Sequence, residues 1–249
     1  MALQSSIIKI EGTIDDFTFY KSKDGYRVRR KTGVSAERIE KDPAFKRTRE
    51  NGKEFGHLTK TGAVLRKAVL DLSKHISDAT LIPRVVKSLA AIKNLDTTSN
   101  RGDRTVAVGL ATSEGKDLLK GFDFNSVAPL QAVVRTEIEL DTATGTITLD
   151  NFDAEHQLAY PEGATHVRFR AGFLNLDFAT GEAALEVSDE VETPLVEGAT
   201  TVTMAPAGVP TGSGNQLYLL LVAFYQELNG KQYALSNGAY NSLSIIEVL

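Results

Sequence analysis

The 249-residue sequence contains no cysteine and no tryptophan. The absence of cysteine excludes disulfide scaffolds, thiolate metal sites and cysteine nucleophiles. Without tryptophan, a carbohydrate site would have to stack its sugar on tyrosine or phenylalanine. The longest apolar run, residues 217–225, is far too short to cross a bilayer, so no membrane insertion is expected.

Motifs that mark an enzyme are also missing. The sequence has no phosphate loop of the GxGxxG or GxxxxGK[ST] type and no GxSxG nucleophile elbow. His166 alternates with Arg168 and Arg170, which is typical of the solvated face of a strand. None of the four histidines has metal-ligand spacing; they are His57, His75, His156 and His166. We therefore expect no catalytic residue, no metal site and no cofactor, and we expect that the chain is not an enzyme.

The N-terminal residues do not combine a charged segment with a following apolar run, so no secretory signal is predicted. A cytoplasmic location is the default expectation, and non-classical export stays open.

The net charge is only −4, but it is unevenly distributed. Residues 1–104 contain 22 Lys and Arg against 13 Asp and Glu, which gives +9. Residues 105–249 contain 6 against 19, which gives −13. The sequence therefore predicts a basic domain (1–104) followed by an acidic domain (105–249).

The basic part is predicted to begin with a β-hairpin or small meander over residues 7–31, with a turn at Asp24-Gly25. Tyr26 and Val28 are expected on the opposite face from Arg27 and Arg29. Helices should follow from Asp42-Pro43 to about Gly56, from 61 to 75 and from 79 to 94.

The acidic part shows strand patterns separated by turn signals. Residues 133–140 and 146–151 flank Thr144-Gly145, and residues 217–227 and 231–235 flank Asn229-Gly230. The run 217–225 is predicted to be a central strand that is buried on both faces. The fold class is therefore α+β: an N-terminal hairpin and helical segment, then an antiparallel β-sandwich of immunoglobulin-like or similar type.

A hairpin of this size is only marginally stable alone, so it should pack on the rest of the chain or on another copy. The first hypothesis is a bacterial structural protein that self-assembles into a homo-oligomer or filament through this hairpin and opposite-charge faces. The apolar residues expected at the interface are Ile8, Ile10, Ile14, Phe17, Phe19, Tyr20, Tyr26 and Val28.

Two other functions compete with self-association. A nucleic-acid-binding protein would place basic side chains on phosphates and stack bases on nearby aromatic rings. The residues expected to serve it are Arg27, Arg29, Arg30, Lys46, Arg47 and Arg49, with Lys31 in the same cluster. A carbohydrate-binding β-sandwich would use aromatic and acidic residues of the C-terminal part.

Three stretches carry a resemblance to a known group of proteins. They are Gly12-Thr13-Ile14 with Phe17-Thr18-Phe19-Tyr20-Lys21 and Asp24-Gly25-Tyr26; Asp42-Pro43-Ala44-Phe45 with Arg47-Thr48-Arg49-Glu50-Asn51 and Glu54-Phe55-Gly56; and Phe224-Tyr225-Gln226-Glu227 and Asn229-Gly230 with Asn237-Gly238-Ala239-Tyr240-Asn241. This pattern resembles a family from Bacteroidota bacteria with an N-terminal hairpin, a helical segment and a variable β-rich C-terminal part. The resemblance implies the same architecture here, and it implies no activity or catalytic residue.

Overall fold

A computed structural model describes residues 2–5, 7–30, 33–235 and 240–249. Lys31 of the predicted basic cluster and Asn237-Gly238-Ala239 of the family resemblance lie outside these residues. The fold is α+β, as predicted, and its contacts divide the chain into two units, Met1–Asn51 and Gly52–Leu249.

The first unit combines a small antiparallel sheet with short helical turns. The sheet has the strand order β1-β4-β3-β2. Its strands are β1 (Ala2–Leu3), β2 (Gly12–Ile14), β3 (Phe17–Ser22) and β4 (Gly25–Arg30). Helix α1 (Ala36–Lys41) and a single 3-10 turn (Pro43–Phe45) follow.

The second unit contains most of the helices, two sheets and all of the buried core. The helices are α2 (Lys46–Ala68, whose residues 46–51 belong to the first unit), α3 (Leu70–Ser73), α4 (Leu81–Asn94), α5 (Val106–Leu110), α6 (Ser113–Leu119), α7 (Leu130–Val133) and α8 (Ala154–Gln157). The strands are β5 (Glu139–Asp141), β6 (Thr146–Asp153), β7 (His166–Leu176), β8 (Ala183–Val187), β9 (Val191–Pro194), β10 (Ala199–Met204), β11 (Asn215–Leu228), β12 (Lys231–Ala234) and β13 (Ser242–Val248).

Strand β11 is the centre of the larger sheet. It pairs along its length with β7 on one side, and with β13 and β12 on the other. Residues 217–225 are all buried, which confirms the predicted central strand. The predicted hairpin turn joins β11 to β12, with Asn229 at φ 52° and Gly230 at φ 72°, a backbone geometry that this dipeptide adopts at low cost.

The two faces of β11 enter different cores because side chains alternate along a strand. Leu217, Leu219 and Leu221 pack with the helices, whereas Leu220, Val222 and Phe224 pack against the smaller sheet. That sheet has the order β10-β6-β5. The larger sheet is therefore covered by the smaller sheet on one face and by helices on the other.

The predicted domain boundary at 104/105 does not coincide with the observed division. Helices α2 and α4 bury Leu58, Leu65 and Leu89 in the same core as Leu219 of the sheet. The apolar stripes of these helices therefore need the sheet, and residues 52–104 belong to the same unit as the strands.

Helix α2 also corrects the predicted helix end at Gly56. The helix continues from Lys46 through Gly56 to Ala68. Its buried residues recur at helical spacing; they are Glu54, Leu58, Thr61, Gly62 and Leu65. Burial of this stripe outweighs the cost of glycine, which is only about 1 kcal/mol per residue in a helix.

A further difference lies in the predicted strand 133–140. Only Glu139–Asp141 forms a strand; α7 ends at Val133, and residues 135–138 are irregular. Val134 makes a single β-bridge to Leu158. Val133 and Val134 are both buried, but Val133 is the last residue of α7 and Val134 directly follows the helix.

A buried ion cluster fixes the loop between α4 and α5. The Glu54 carboxylate accepts hydrogen bonds from Lys93 Nζ, from the Gly102 amide at 2.8 Å, and from Arg104 at 2.8 and 2.9 Å. These donors, Arg104 first, lower the pKa of Glu54 to about 2 in spite of burial. Asp96 accepts from three backbone amides of the same loop.

The substitution Glu54→Gln should lower the free energy of unfolding by about 3–5 kcal/mol, because it removes the counter-charge of the buried Lys93 and one partner charge of the half-buried Arg104. Chemical denaturation checks this value. The matched control is Asp103→Asn, which removes an exposed pairing with Lys53 and should cost less than about 1 kcal/mol. Because the pKa of Glu54 is lowered in the fold, its contribution is present above pH 4.5 and is lost as the pH falls towards 2. Equal losses for both variants at pH 7 would contradict this account.

The substitution Gly56→Ala should raise the free energy of unfolding by about 0.5–1 kcal/mol, because Gly56 is inside a continuous helix with open space around it. Gly62→Ala is the control: its Cβ would lie 3.1 Å from Val85 Cγ1, so the gain should be reduced or lost. Urea unfolding measures both. A loss of stability in Gly56→Ala would indicate that the helix ends there.

Candidate self-association surface

The N-terminal sheet is built from three antiparallel pairings. Phe19 of β3 lies opposite Gly12 of β2 and Val28 of β4. The turn between β2 and β3 is Asp15-Asp16, with Asp15 at φ 48°. Aspartate tolerates this left-handed conformation better than most residues, so the pair can close a two-residue hairpin.

One face of this sheet is mainly apolar, with Lys21 opposite Tyr26 and Arg30 opposite Phe17 on the same face. Residues directly opposite each other in antiparallel strands share a face, and residues two apart along a strand do so as well. The register therefore places five of the predicted interface residues on one face, which we call the apolar face: Ile14, Phe17, Phe19, Tyr26 and Val28.

The described residues of the first unit cover the apolar face only in part: Phe19, Tyr26 and Val28 are half-buried. None of its described residues is buried. Phe17 is 48% exposed and Ile14 is 51% exposed. A small sheet normally needs one packed face to be stable, so the apolar face lacks the layer that would complete it.

Tyr20 lies on the opposite face from the other predicted interface residues in the strands. It is paired with Arg27, and the Arg29 guanidinium lies 5.6 Å from the centroid of the Tyr20 ring. This second face is therefore polar and basic, with a cation–π contact that holds the ring. The predicted alternation of Tyr26 and Val28 against Arg27 and Arg29 is confirmed.

Ile8 and Ile10 lie outside the strands, although an extended chain was predicted from residue 7. The Gln4 side chain accepts a hydrogen bond from the Ile10 amide and donates one to the Ile10 carbonyl, each at 3.1 Å. The Gln4 side chain thus provides the hydrogen bonds that a neighbouring strand would otherwise give to the backbone of Ile10. Ile8 is 74% exposed and Ile10 is 39% exposed.

The basic residues of the alternative hypothesis are divided between the two faces of the sheet. Arg27 pairs with Asp24 at 2.7 Å on the polar face. Arg30 lies opposite Phe17, at the rim of the apolar face, with its guanidinium 3.6 Å from Asp16.

The second basic group lies near the start of α2 and is largely paired with acids or carbonyls. Arg49 donates to the backbone carbonyls of Ile39 and Asp42, at 2.6 and 3.0 Å. Lys46 and Arg47 approach Glu50, at 4.0 and 3.8 Å. Arg49 thus has a structural role at the end of α1, where carbonyls are left without helical partners.

A polar cluster in the second unit differs from the predicted solvated strand face. Arg168 is 27% exposed, lies 4.2 Å from the centroid of the Tyr225 ring, and bonds to Glu190 and Glu192 at 2.9 Å. Arg170 is 24% exposed and pairs with Asp71. The side chains at this end of β7 are therefore half-buried in ion pairs that cover the sheet.

Among the described residues, no three His, Asp or Glu side chains are arranged to hold a metal ion. In the same part of the chain, every helix is too short or too polar to span a bilayer.

Comparison of the chain with protein-family models, with curated proteins and with solved structures finds no match. The resemblance to the Bacteroidota family therefore stays a prediction, and the surface has to be interpreted from its own geometry.

Proposed function

We propose that this chain is a non-enzymatic structural protein that self-associates into a homo-oligomer or filament through the apolar face of its N-terminal sheet. The observation that carries the proposal is the exposure of that face, which presents Ile14 and Phe17 with about half of each side chain in contact with solvent. Contiguous exposed apolar surface rimmed by polar residues is typical of protein interaction sites.

The area of the apolar face limits how stable an interface it can form without other contacts. Strands about 4.8 Å apart and up to six residues long, at about 3.4 Å per residue, give four strands at most about 400 Å² of face. One such face and the equal area that it covers on a partner would together bury about 800 Å², below the range of about 1,200–2,000 Å² for stable interfaces. A second contribution is therefore needed for a lasting assembly.

Charge supplies this contribution in the proposal. The unit Met1–Asn51 has 12 basic and 8 acidic residues, whereas Gly52–Leu249 has 16 basic and 24 acidic residues. Attraction between the first unit of one copy and the second unit of the next would orient the contact. Such a head-to-tail contact between unlike surfaces produces rings or filaments.

The substitution Phe17→Asp should reduce the assembly to the monomer mass of 27.0 kDa in light scattering at low salt, because it places a charge in the apolar face. Its thermal unfolding should stay close to that of the unchanged protein, since Phe17 is already 48% exposed. Phe55→Asp is the matched control, because Phe55 is 59% exposed in the second unit and should leave the assembly intact. A monomeric unchanged protein at low salt would refute the proposal.

Raising the salt concentration from about 20 mM to 500 mM should lower the mean mass of the assembly, because salt screens attraction between exposed charges. Light scattering on the unchanged protein across this range provides the measurement. An assembly whose mass does not change with salt would exclude the contribution from opposite charges and would leave the apolar face as the only contact.

A further inference from the structure

The second unit contains a cavity of about 690 Å³ between β13, α7 and the segment 136–140 that ends in β5. This volume is within the range of about 300–1,000 Å³ for sites that take small molecules. All residues that line the cavity belong to the second unit.

The walls of the cavity combine apolar and polar surface in similar amounts. Ile138 and Leu140 line it and are half-buried, whereas the intervening Glu139 is exposed and does not line it. Val134, which follows α7, and Ile246 of β13 add apolar surface. An aliphatic chain placed here would exchange water for hydrocarbon contacts.

Asp123 supplies a carboxylate in the cavity wall. One of its oxygens accepts a hydrogen bond from the Leu130 amide at 2.9 Å, and the neighbouring Ser244 hydroxyl donates to the Phe122 carbonyl at 3.4 Å. Burial raises the pKa of Asp123, as expected for a carboxylate held away from bulk water without a full counter-charge.

The neighbouring cations are already engaged elsewhere. Arg84 donates to the Asp78 carboxylate at 2.6 Å and to the backbone carbonyl of Asp123 at 2.8 Å. Lys120, at the rim, pairs with Glu247 at 2.5 Å. Within the described ranges, no Lys or Arg side chain forms an ion pair with the Asp123 carboxylate, and Arg84 attracts it only from beyond ion-pair distance, so the carboxylate is open to direct pairing with a ligand cation.

We propose that this cavity binds a primary ammonium ion carried on an aliphatic chain, with the ammonium group at Asp123 and the chain along Val134, Ile138, Leu140 and Ile246. An ammonium group supplies three hydrogen-bond donors and the positive charge that the site lacks. An alcohol of the same length would fill the apolar walls but leave the carboxylate charge unmatched.

Titration calorimetry with octylammonium tests the site on the full chain. Asp123→Asn should weaken binding at least tenfold, since the amide oxygen can still accept from the Leu130 amide while the charge is removed. Asp117→Asn is the matched control, an exposed carboxylate on α6 whose loss should change affinity less than twofold. Octanol should bind at least tenfold more weakly than octylammonium and equally to both variants.

Chain length tests the apolar walls independently of Asp123. From butylammonium to octylammonium, each methylene should tighten binding about threefold to fourfold, which is the value for full burial of one methylene. Ile138→Ser should reduce this increment even if Asp123→Asn proves unstable. No binding of octylammonium, equal affinity for both Asp variants, or affinity independent of chain length would each overturn the proposal.

Discussion

The fold depends on one constraint: strand β11 is apolar on both faces, and each face must be covered. Leu217, Leu219 and Leu221 require the helical layer, whereas Leu220, Val222 and Phe224 require the three-stranded sheet. Most of α2 and all of α4 are therefore part of the same unit as the strands. Both helices are nevertheless basic, like the rest of residues 1–104. The Glu54 cluster then fixes the loop that leads from α4 to α5.

The first unit has the same kind of sheet without the covering layers. Its register gathers Ile14, Phe17, Phe19, Tyr26 and Val28 on one face, yet none of the described residues of this unit is buried. The contrast between the two units is the basis of the proposed function. In the second unit the apolar side chains are buried within the chain. In the proposal, those of the first unit are buried against another copy. The approximate area of the face shows why a partner would need opposite charge as well as apolar contact.

Much of the fold could be predicted because its signals are local. Asn229-Gly230 and Thr144-Gly145 predict hairpin turns through their own backbone preferences. The continuous apolar run 217–225 predicts a strand that is buried on both faces. The predicted helix end at Gly56 was wrong because a tertiary contact, burial of the α2 stripe, outweighs a local preference. The Glu54 cluster joins residues 39 and 50 positions apart, and no local pattern indicates such a contact. In the candidate surface, period-two alternation identified the apolar face, but the position of Tyr20 on the other face required the register.

Hydrogen exchange of backbone amides in residues 12–30, measured at several protein concentrations, tests the central claim most directly. If the apolar face is completed by another copy, protection of these amides should increase with concentration, whereas protection of β11 should not change, because its layers lie in its own unit. Protection of residues 12–30 that is independent of concentration, from dilute monomer to the highest concentration tested, would contradict the account.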